Sequence, residues 1–237
     1  MRRAYAYSAR GVNEAIQVGA TIPSRGTMRI LTLNLRAGGG TRIPALVEAL
    51  VARDADVLVL TEFRIGPSGT RLLDLLRQHR YEVHLHNDPP AGTNSAVIVS
   101  RLPLTSERSP HHRIVAAELH GIQLRGIYLP LNQAKVEFWE EHFGRVLGSL
   151  RDEPAILIGD FNTGAADERQ SLVRFAAEDR YEAMFRQGWV DPVRVVGEPP
   201  EFTWFSQVGN GFVIDHALVS SALADRVTHA SAVSYTH

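Results

Sequence analysis

The chain has 237 residues, 44% of them hydrophobic, no cysteine and a formal net charge of −1. That supplies one substantial core, excludes disulfides and thiolate metal sites, and carries no footprint of a strong nonspecific DNA binder. No apolar run reaches the ~18–20 residues that cross a bilayer, and Arg2 and Arg3 are not followed by the apolar segment of a secretory leader, so a cytoplasmic monomer is the default expectation.

Residues 1–27 mix Gly11, Gly19, Pro23 and Gly26 without sustained periodicity. They are expected to form a disordered extension, with an ordered arm as the alternative and Met28 as the start of the domain. From there Leu31, Leu33 and Leu35 alternate with Ile30, Thr32 and Asn34, the pattern of a strand. Ile43, Leu46, Val47, Leu50 and Val51 recur at helical spacing and predict a helix over 42–53. Asp56 to Leu60 reads as a buried strand that ends in Thr61-Glu62, and Leu72, Leu73 and Leu76 mark a second helix. Strands follow near 81–86, 95–100, 113–119 and 122–129. Val136, Trp139, Phe143, Val146, Leu147 and Leu150 define a long amphipathic helix. Pro154 precedes another buried strand, Ala155 to Gly159, which ends in Asp160. A helical stretch is expected over 168–186, with strands at about 202–205, 212–219 and 227–235. Early strand–helix–strand units give way to strands joined by short turns, which favours two packed sheets with outer helices over a doubly wound parallel sheet.

Four buried strands end in a polar residue: Asn34, Glu62, Asp160 with Asn162, and Asp215. A carboxylate or amide where an apolar strand emerges is costly without a partner, and strand ends are rigid places from which side chains converge. Each has a plain alternative: Asn34 in a turn, Glu62 paired with Arg64, Gly159-Asp160 in a turn. Together they offer the hard oxygen donors that suit Mg²⁺ or Mn²⁺, an ion that would polarise a phosphoryl oxygen.

The order of motifs resembles the endonuclease/exonuclease/phosphatase superfamily, the fold of exonuclease III and pancreatic deoxyribonuclease. The matching stretches are Leu-Thr-Leu-Asn-Leu-Arg at 31–36, Val-Leu-Val-Leu-Thr-Glu at 57–62, Ala-Val-Ile-Val-Ser-Arg at 96–101 and Tyr-Leu-Pro at 128–130. Ile-Gly-Asp-Phe-Asn at 158–162, Phe-Thr-Trp-Phe-Ser at 202–206 and Phe-Val-Ile-Asp-His-Ala-Leu-Val-Ser at 212–220 complete the series. The resemblance implies a four-layer α/β/β/α sandwich of two mixed sheets and a metal-dependent phosphoesterase. It implies Glu62 as the principal metal ligand with Asn34 beside it, and Asp160 as the group that orients or activates the attacking water. Asn162 would contact the phosphate, Tyr128 would hydrogen-bond it, and Asp215 would orient a catalytic histidine. Trp204 would line the substrate pocket, with a core tryptophan as the alternative.

There are departures from the pattern. Leu131 intervenes before Asn132, which weakens Asn132 as a substrate contact, and Thr61 replaces the glutamine common before the glutamate. The family ends on Ser-Asp-His after one further turn, whereas this chain ends Val-Ser-Tyr-Thr-His at 233–237. The domain, 28–237, is therefore expected to lack its last strand, and the chain as given to be nearly inactive. Asp215-His216 looks superficially similar, but its strand matches the segment before that final motif; His237 is the other candidate.

Several remaining features have two readings each. His84 and His86 share one face of a strand, as metal ligands or as a solvated face. His111-His112 with Arg113 reads as a surface loop. Arg36, Arg64 or Arg101 could meet a phosphate bidentately or form surface salt bridges, and Arg64 is carried forward as a substrate contact. Lys135, the only lysine, reads as composition bias. The expected function is hydrolysis of a phosphodiester, by a nuclease first, with a small-molecule phosphodiesterase or phosphatase as the alternative. The missing histidine argues for a catalytically silent binding module.

Overall fold

The computed structural model describes residues 13–22, 26–197 and 202–235. In chain order the elements are β1 (Asn13–Ile22), β2 (Gly26–Asn34), α1 (Ile43–Ala52), β3 (Val57–Phe63), α2 (Pro67–Arg77), β4 (Val83–Leu85), β5 (Ser95–Ser100), β6 (Thr105–Glu107), β7 (Ile114–Leu119) and β8 (Ile122–Tyr128). Then come α3 (Asn132–Phe138), joined by a π turn at Trp139–Phe143 to α4 (Gly144–Leu150), β9 (Ala155–Asp160), α5 (Glu178–Arg186), β10 (Trp189–Val190) and α6 (Pro192–Val196). The last are β11 (Trp204–Phe205), β12 (Gly211–Phe212), β13 (Asp215–Ser220), α7 (Ser221–Ala224) and β14 (Val227–Tyr235).

Two six-stranded sheets, ordered β14-β1-β2-β3-β5-β4 and β10-β13-β9-β8-β7-β6, stack face to face, with β11 and β12 as a separate ribbon. The layer between them is apolar because alternate residues of both sheets point inward, among them Ile30, Val57, Val59, Ile98, Leu124, Ile156 and Ile158. Leu31, Leu33, Leu58 and Leu60, on the other face of the first sheet, pack against Leu46, Leu50 and Leu72 of α1 and α2. Leu157 and Ile127 face Phe143, Leu147 and Tyr181 on the far side of the second. The result is the expected four-layer sandwich of two mixed sheets with outer helices.

Each sheet has one parallel pair, β2 with β3 and β8 with β9, and the remaining pairs are antiparallel. Parallel neighbours need a crossover, and helices supply both: α1 between β2 and β3, and the α3–α4 run between β8 and β9. The C-terminal ends of each pair coincide, with Asn34 beside Thr61 and Tyr128 beside Asp160.

Two expectations are corrected. The segment expected to be a disordered extension contains β1, which pairs with β14 from Asn13 to Ala20 and with β2 from Ile16 to Ile22. Ile16, Val18 and Ile22 do alternate into the inter-sheet core, but Gly19 and the small neighbouring side chains hide the period. Residues 1–12 lie outside the described residues, as does His237. The helix expected over 168–186 forms only as α5; the chain before it is held open by Glu178, whose carboxylate accepts from Arg169 at 2.8 Å, Arg174 at 2.8 Å and the Phe175 N–H at 3.3 Å. Among the described residues no helix is long and apolar enough to cross a membrane.

Candidate active site

Local backbone strain aims the polar strand ends. Within β3 the pairing to β5 slips between Thr61 and Phe63, and Glu62, the extra residue, takes φ 54. A bulge of this kind redirects a side chain out of the strand's alternation. At the end of β9, Gly159 adopts φ 148, and a Cβ there would lie 2.0 Å from the Ile127 carbonyl oxygen. Only glycine fits, and the two strands can then run together to Tyr128 and Asp160. Asn162 follows at φ 50.

These ends meet. The Asn34 amide nitrogen donates to Asp160 Oδ2 at 2.7 Å and to Glu62 Oε1 at 3.2 Å, and so links carboxylates from the two sheets. Glu62 Oε2 accepts from the Ala37 N–H at 2.6 Å and from Asn94 at 3.2 Å. Asp160 Oδ1 accepts from the Asn162 N–H at 2.8 Å, and the Asn162 amide donates to the Leu129 carbonyl at 2.8 Å. Asp215 is the register partner of Asp160 across β13 and β9. Asp160 is 2% exposed, and burial above all, with the nearby Glu62 charge, pushes its carboxyl up to about 7 against the hydrogen bonds and the Lys135 charge that favour ionisation. Burial likewise raises the Tyr128 hydroxyl. The Arg36 guanidinium is lowered by burial and by Arg42, against the opposing pull of Asp215 and Glu62.

A cavity of about 610 Å³ opens over these groups. Asn34, Glu62, Asp160, Asn162 and Asp215 line one end, and Leu131, Val173, Phe175, Trp204 and Phe212 form an apolar wall. Trp204 is 41% exposed and tilts against Phe212 with ring centroids 5.4 Å apart, so it is a wall residue and not a core tryptophan. Asn132 also lines the cavity, at φ 53 where α3 begins. Tyr128 and Arg64 stand one residue back, both through Asn94. The Asn94 amide donates to the Tyr128 hydroxyl at 3.3 Å, and its oxygen accepts from Arg64 Nε at 2.5 Å.

Two expectations shift in detail. Asn34 was expected to be a metal ligand, but its amide oxygen accepts from the Arg36 N–H at 2.8 Å and its nitrogen faces both carboxylates. It joins the carboxylates and offers no oxygen between them. Arg113, expected on a surface loop, lies over the Tyr128 ring at 4.6 Å.

A second group of possible ligands, Glu168, Asp191 and His216, brings its donor atoms within 4.8 Å of one another. Its hydrogen bonds are already made. His216 Nδ1 meets the Tyr181 hydroxyl at 2.9 Å and Nε2 meets the Thr163 carbonyl at 2.8 Å. Asp191 accepts from the Val193 N–H at 2.9 Å, and Glu168 from the Ala165 N–H at 2.6 Å. The Arg194 guanidinium lies 2.6 Å from Glu168 and 3.6 Å from Asp191, and so supplies the positive charge there. His216 is 2% exposed and edge-on to Phe161 at 5.5 Å; it is a core histidine, on the opposite face of its strand from Asp215.

A family model described as Endonuclease/Exonuclease/phosphatase family matches residues 31–234. The fold is similar to that of an AP endonuclease from Archaeoglobus fulgidus, with a TM-score of 0.65 and 18% identity, covering 84% of this chain and 88% of that one. It is similar to an endonuclease/exonuclease/phosphatase from Beutenbergia cavernae, with a TM-score of 0.58 and 19% identity over 81% of this chain and 64% of that one. It is also similar to the endonuclease domain of TRAS1, a telomere-specific non-LTR retrotransposon, with a TM-score of 0.60 and 18% identity over 84% and 87%. No curated protein sequence gives a significant match.

Proposed function

The chain belongs to the Endonuclease/Exonuclease/phosphatase family, and from that premise we propose that it is a divalent-metal-dependent phosphoesterase, cleaving phosphodiester bonds of nucleic acid by in-line attack of water. The observation that carries this reading is the meeting of Glu62 and Asp160, with Asn34 between them, at the mouth of one cavity. Two neighbouring carboxylates, of which Asp160 is lifted to about 7 by burial first and by the Glu62 charge in addition, are the hard oxygen donors that fit Mg²⁺ or Mn²⁺, with Glu62 as the principal ligand. When bound, the ion polarises a phosphoryl oxygen and offsets charge on the leaving oxygen.

Asp160 receives the proton of the attacking water, a contribution of about 10²–10⁴-fold for a general base. Among the described residues lining the cavity the carboxylates Glu62, Asp160 and Asp215 are the proton acceptors on hand, and the role falls to Asp160, whose proton affinity burial raises. Asn162 spends one amide proton on Leu129 and offers the other to a phosphoryl oxygen. The Tyr128 hydroxyl accepts from Asn94, and so acts on the site through the amide that also meets Glu62. Arg36 adds positive charge to the cavity, favoured by the nearby Asp215 and Glu62 charges. Arg64 acts by fixing Asn94, while Asn132 and Trp204 flank the substrate.

Nucleic acid is favoured because the similar structures include an AP endonuclease and a retrotransposon endonuclease domain. A small phosphodiester or phosphomonoester is the second reading, favoured by the concave, apolar-walled cavity and by the net charge of −1. The test strips the protein with chelator and restores Mg²⁺ or Mn²⁺. It then compares nicking of plasmid and cleavage of labelled oligonucleotides with turnover of bis(p-nitrophenyl) phosphate and release of inorganic phosphate. Cleavage of nucleic acid that needs the ion supports the first reading; turnover of small esters alone transfers the conclusion to the second. Hydrolysis that is indifferent to chelator contradicts both.

A further inference from the structure

Lys135 is the only lysine in the chain, and it is 2% exposed. A buried ammonium is costly unless hydrogen bonds replace its water, so its surroundings say what it is for. The first turn of α3 delivers it to the junction of two loops. Its Nζ donates to the Asn162 carbonyl and, at 3.3 Å, to the Ala176 carbonyl. Thr163 Oγ1 donates to that same Ala176 carbonyl at 3.1 Å. One of these loops carries Asp160 and Asn162; the other carries Val173 and Phe175 of the cavity wall.

The held carbonyl is the informative one. Its direction is the ψ angle of Asn162, whose φ is 50. Asparagine tolerates that left-handed conformation without requiring it, so something must hold it. On the other side of the residue, the Asn162 N–H is tied to Asp160 Oδ1 and the side-chain amide to Leu129. Thr163, the next residue, is held through its hydroxyl and its carbonyl; the ammonium is the side-chain contact on the Asn162 carbonyl itself, and it joins the site to the wall.

We propose that Lys135 is a positioning residue for the hydrolysis described above: its ammonium clamps the Asn162 carbonyl to the Ala176 carbonyl and fixes Asn162 with its amide toward the phosphate. This rests on the phosphoesterase reading of the site.

The test uses the full chain with Mn²⁺ and bis(p-nitrophenyl) phosphate. K135M keeps the reach of the side chain and removes the ammonium, and kcat is expected to fall about 10–100-fold, the range for a group that orients a catalytic neighbour, with KM nearly unchanged. K135Q covers the case in which K135M does not fold. If the lysine acts through Asn162, adding K135M to N162A costs no more than about twofold beyond N162A alone, because residues acting as a unit are not additive. The chain holds no cysteine, so K135C can be alkylated with 2-bromoethylamine in denaturant and refolded beside identically treated wild type. Restoring the ammonium in this way is expected to restore most of kcat. Wild-type kcat in K135M and K135Q, losses that multiply in the double variant, or no recovery on aminoethylation would overturn the proposal. If wild type hydrolyses no phosphoester with any divalent ion, the proposed function fails. Positioning is then decided by crystal structures of wild type and K135M: Asn162 is expected to leave the left-handed region in the variant, and an unchanged Asn162 overturns the inference.

Discussion

Replacing Asp160 by asparagine should abolish hydrolysis and yet make the metal-free protein gain stability relative to wild type as pH rises. The carboxyl is buried, and its value of about 7 is set first by that burial. A group that binds its proton more tightly in the folded state than in the unfolded one stabilises the fold at low pH. That contribution is lost as pH climbs from the ordinary carboxylate range, near 4, through the folded value near 7. Asparagine has the same shape, keeps an acceptor for the Asn162 N–H and never ionises, while its NH2 faces the Asn34 NH2 in place of the Oδ2 acceptor, a cost that is the same at every pH. The advantage of D160N over wild type should therefore grow by about 2–3 kcal/mol between pH 5 and pH 8, at 1.36 kcal/mol per tenfold change in proton affinity. Urea unfolding in chelator at the two pH values measures this directly. Saturating Mg²⁺ at pH 8 should then stabilise both proteins through Glu62, and wild type more than D160N, which lacks the second carboxylate charge. A D160N penalty that is the same at both pH values would refute the reasoning, because the carboxylate would then not be the strained group.

Gly159→Ala places a Cβ against the Ile127 carbonyl and should cost about 3 kcal/mol or more in urea unfolding; wild-type stability would mean that β8 and β9 can separate there. Arg194→Met leaves Glu168 and Asp191 facing each other and should cost about 3 kcal/mol, while the folded fraction keeps its specific activity, since this cluster is structural. Asn94→Ala removes the link between Glu62 and Tyr128 and should weaken Mn²⁺ binding about tenfold or more, with little change in Tm.

The sandwich was legible because its strands are long in apolar residues and its polar residues fall at strand ends: Asn34, Glu62 and Asp160 where strands finish, and Asp215 where β13 begins. Their convergence follows from topology, since both parallel pairs end at the same mouth. What escaped the sequence had a weak local pattern or none. β1 is built from small residues around Gly19, and its pairing lies with β14, about 200 positions away. α6 has only five residues; its signal was Asp191-Pro192, in which the aspartate caps the Val193 N–H. Asn94 acts across 32 and 34 positions, on Glu62 and Tyr128, and no spacing rule reaches that far. The placing of Lys135 was not legible, because a scarcity of lysine among arginines reads as composition and the two carbonyls it meets lie 27 and 41 positions away. His216 was seen beside Asp215, and strand alternation alone could have placed it on the other face.

The central claim, that Glu62 anchors a divalent ion beside Asp160, is tested most directly by calorimetric titration of the chelator-stripped protein with Mn²⁺, comparing wild type and Glu62→Gln at equal fold content by circular dichroism. The account predicts one saturable site in wild type that is lost or greatly weakened in the variant. Equal affinity in the two proteins would contradict it and move the metal away from this mouth.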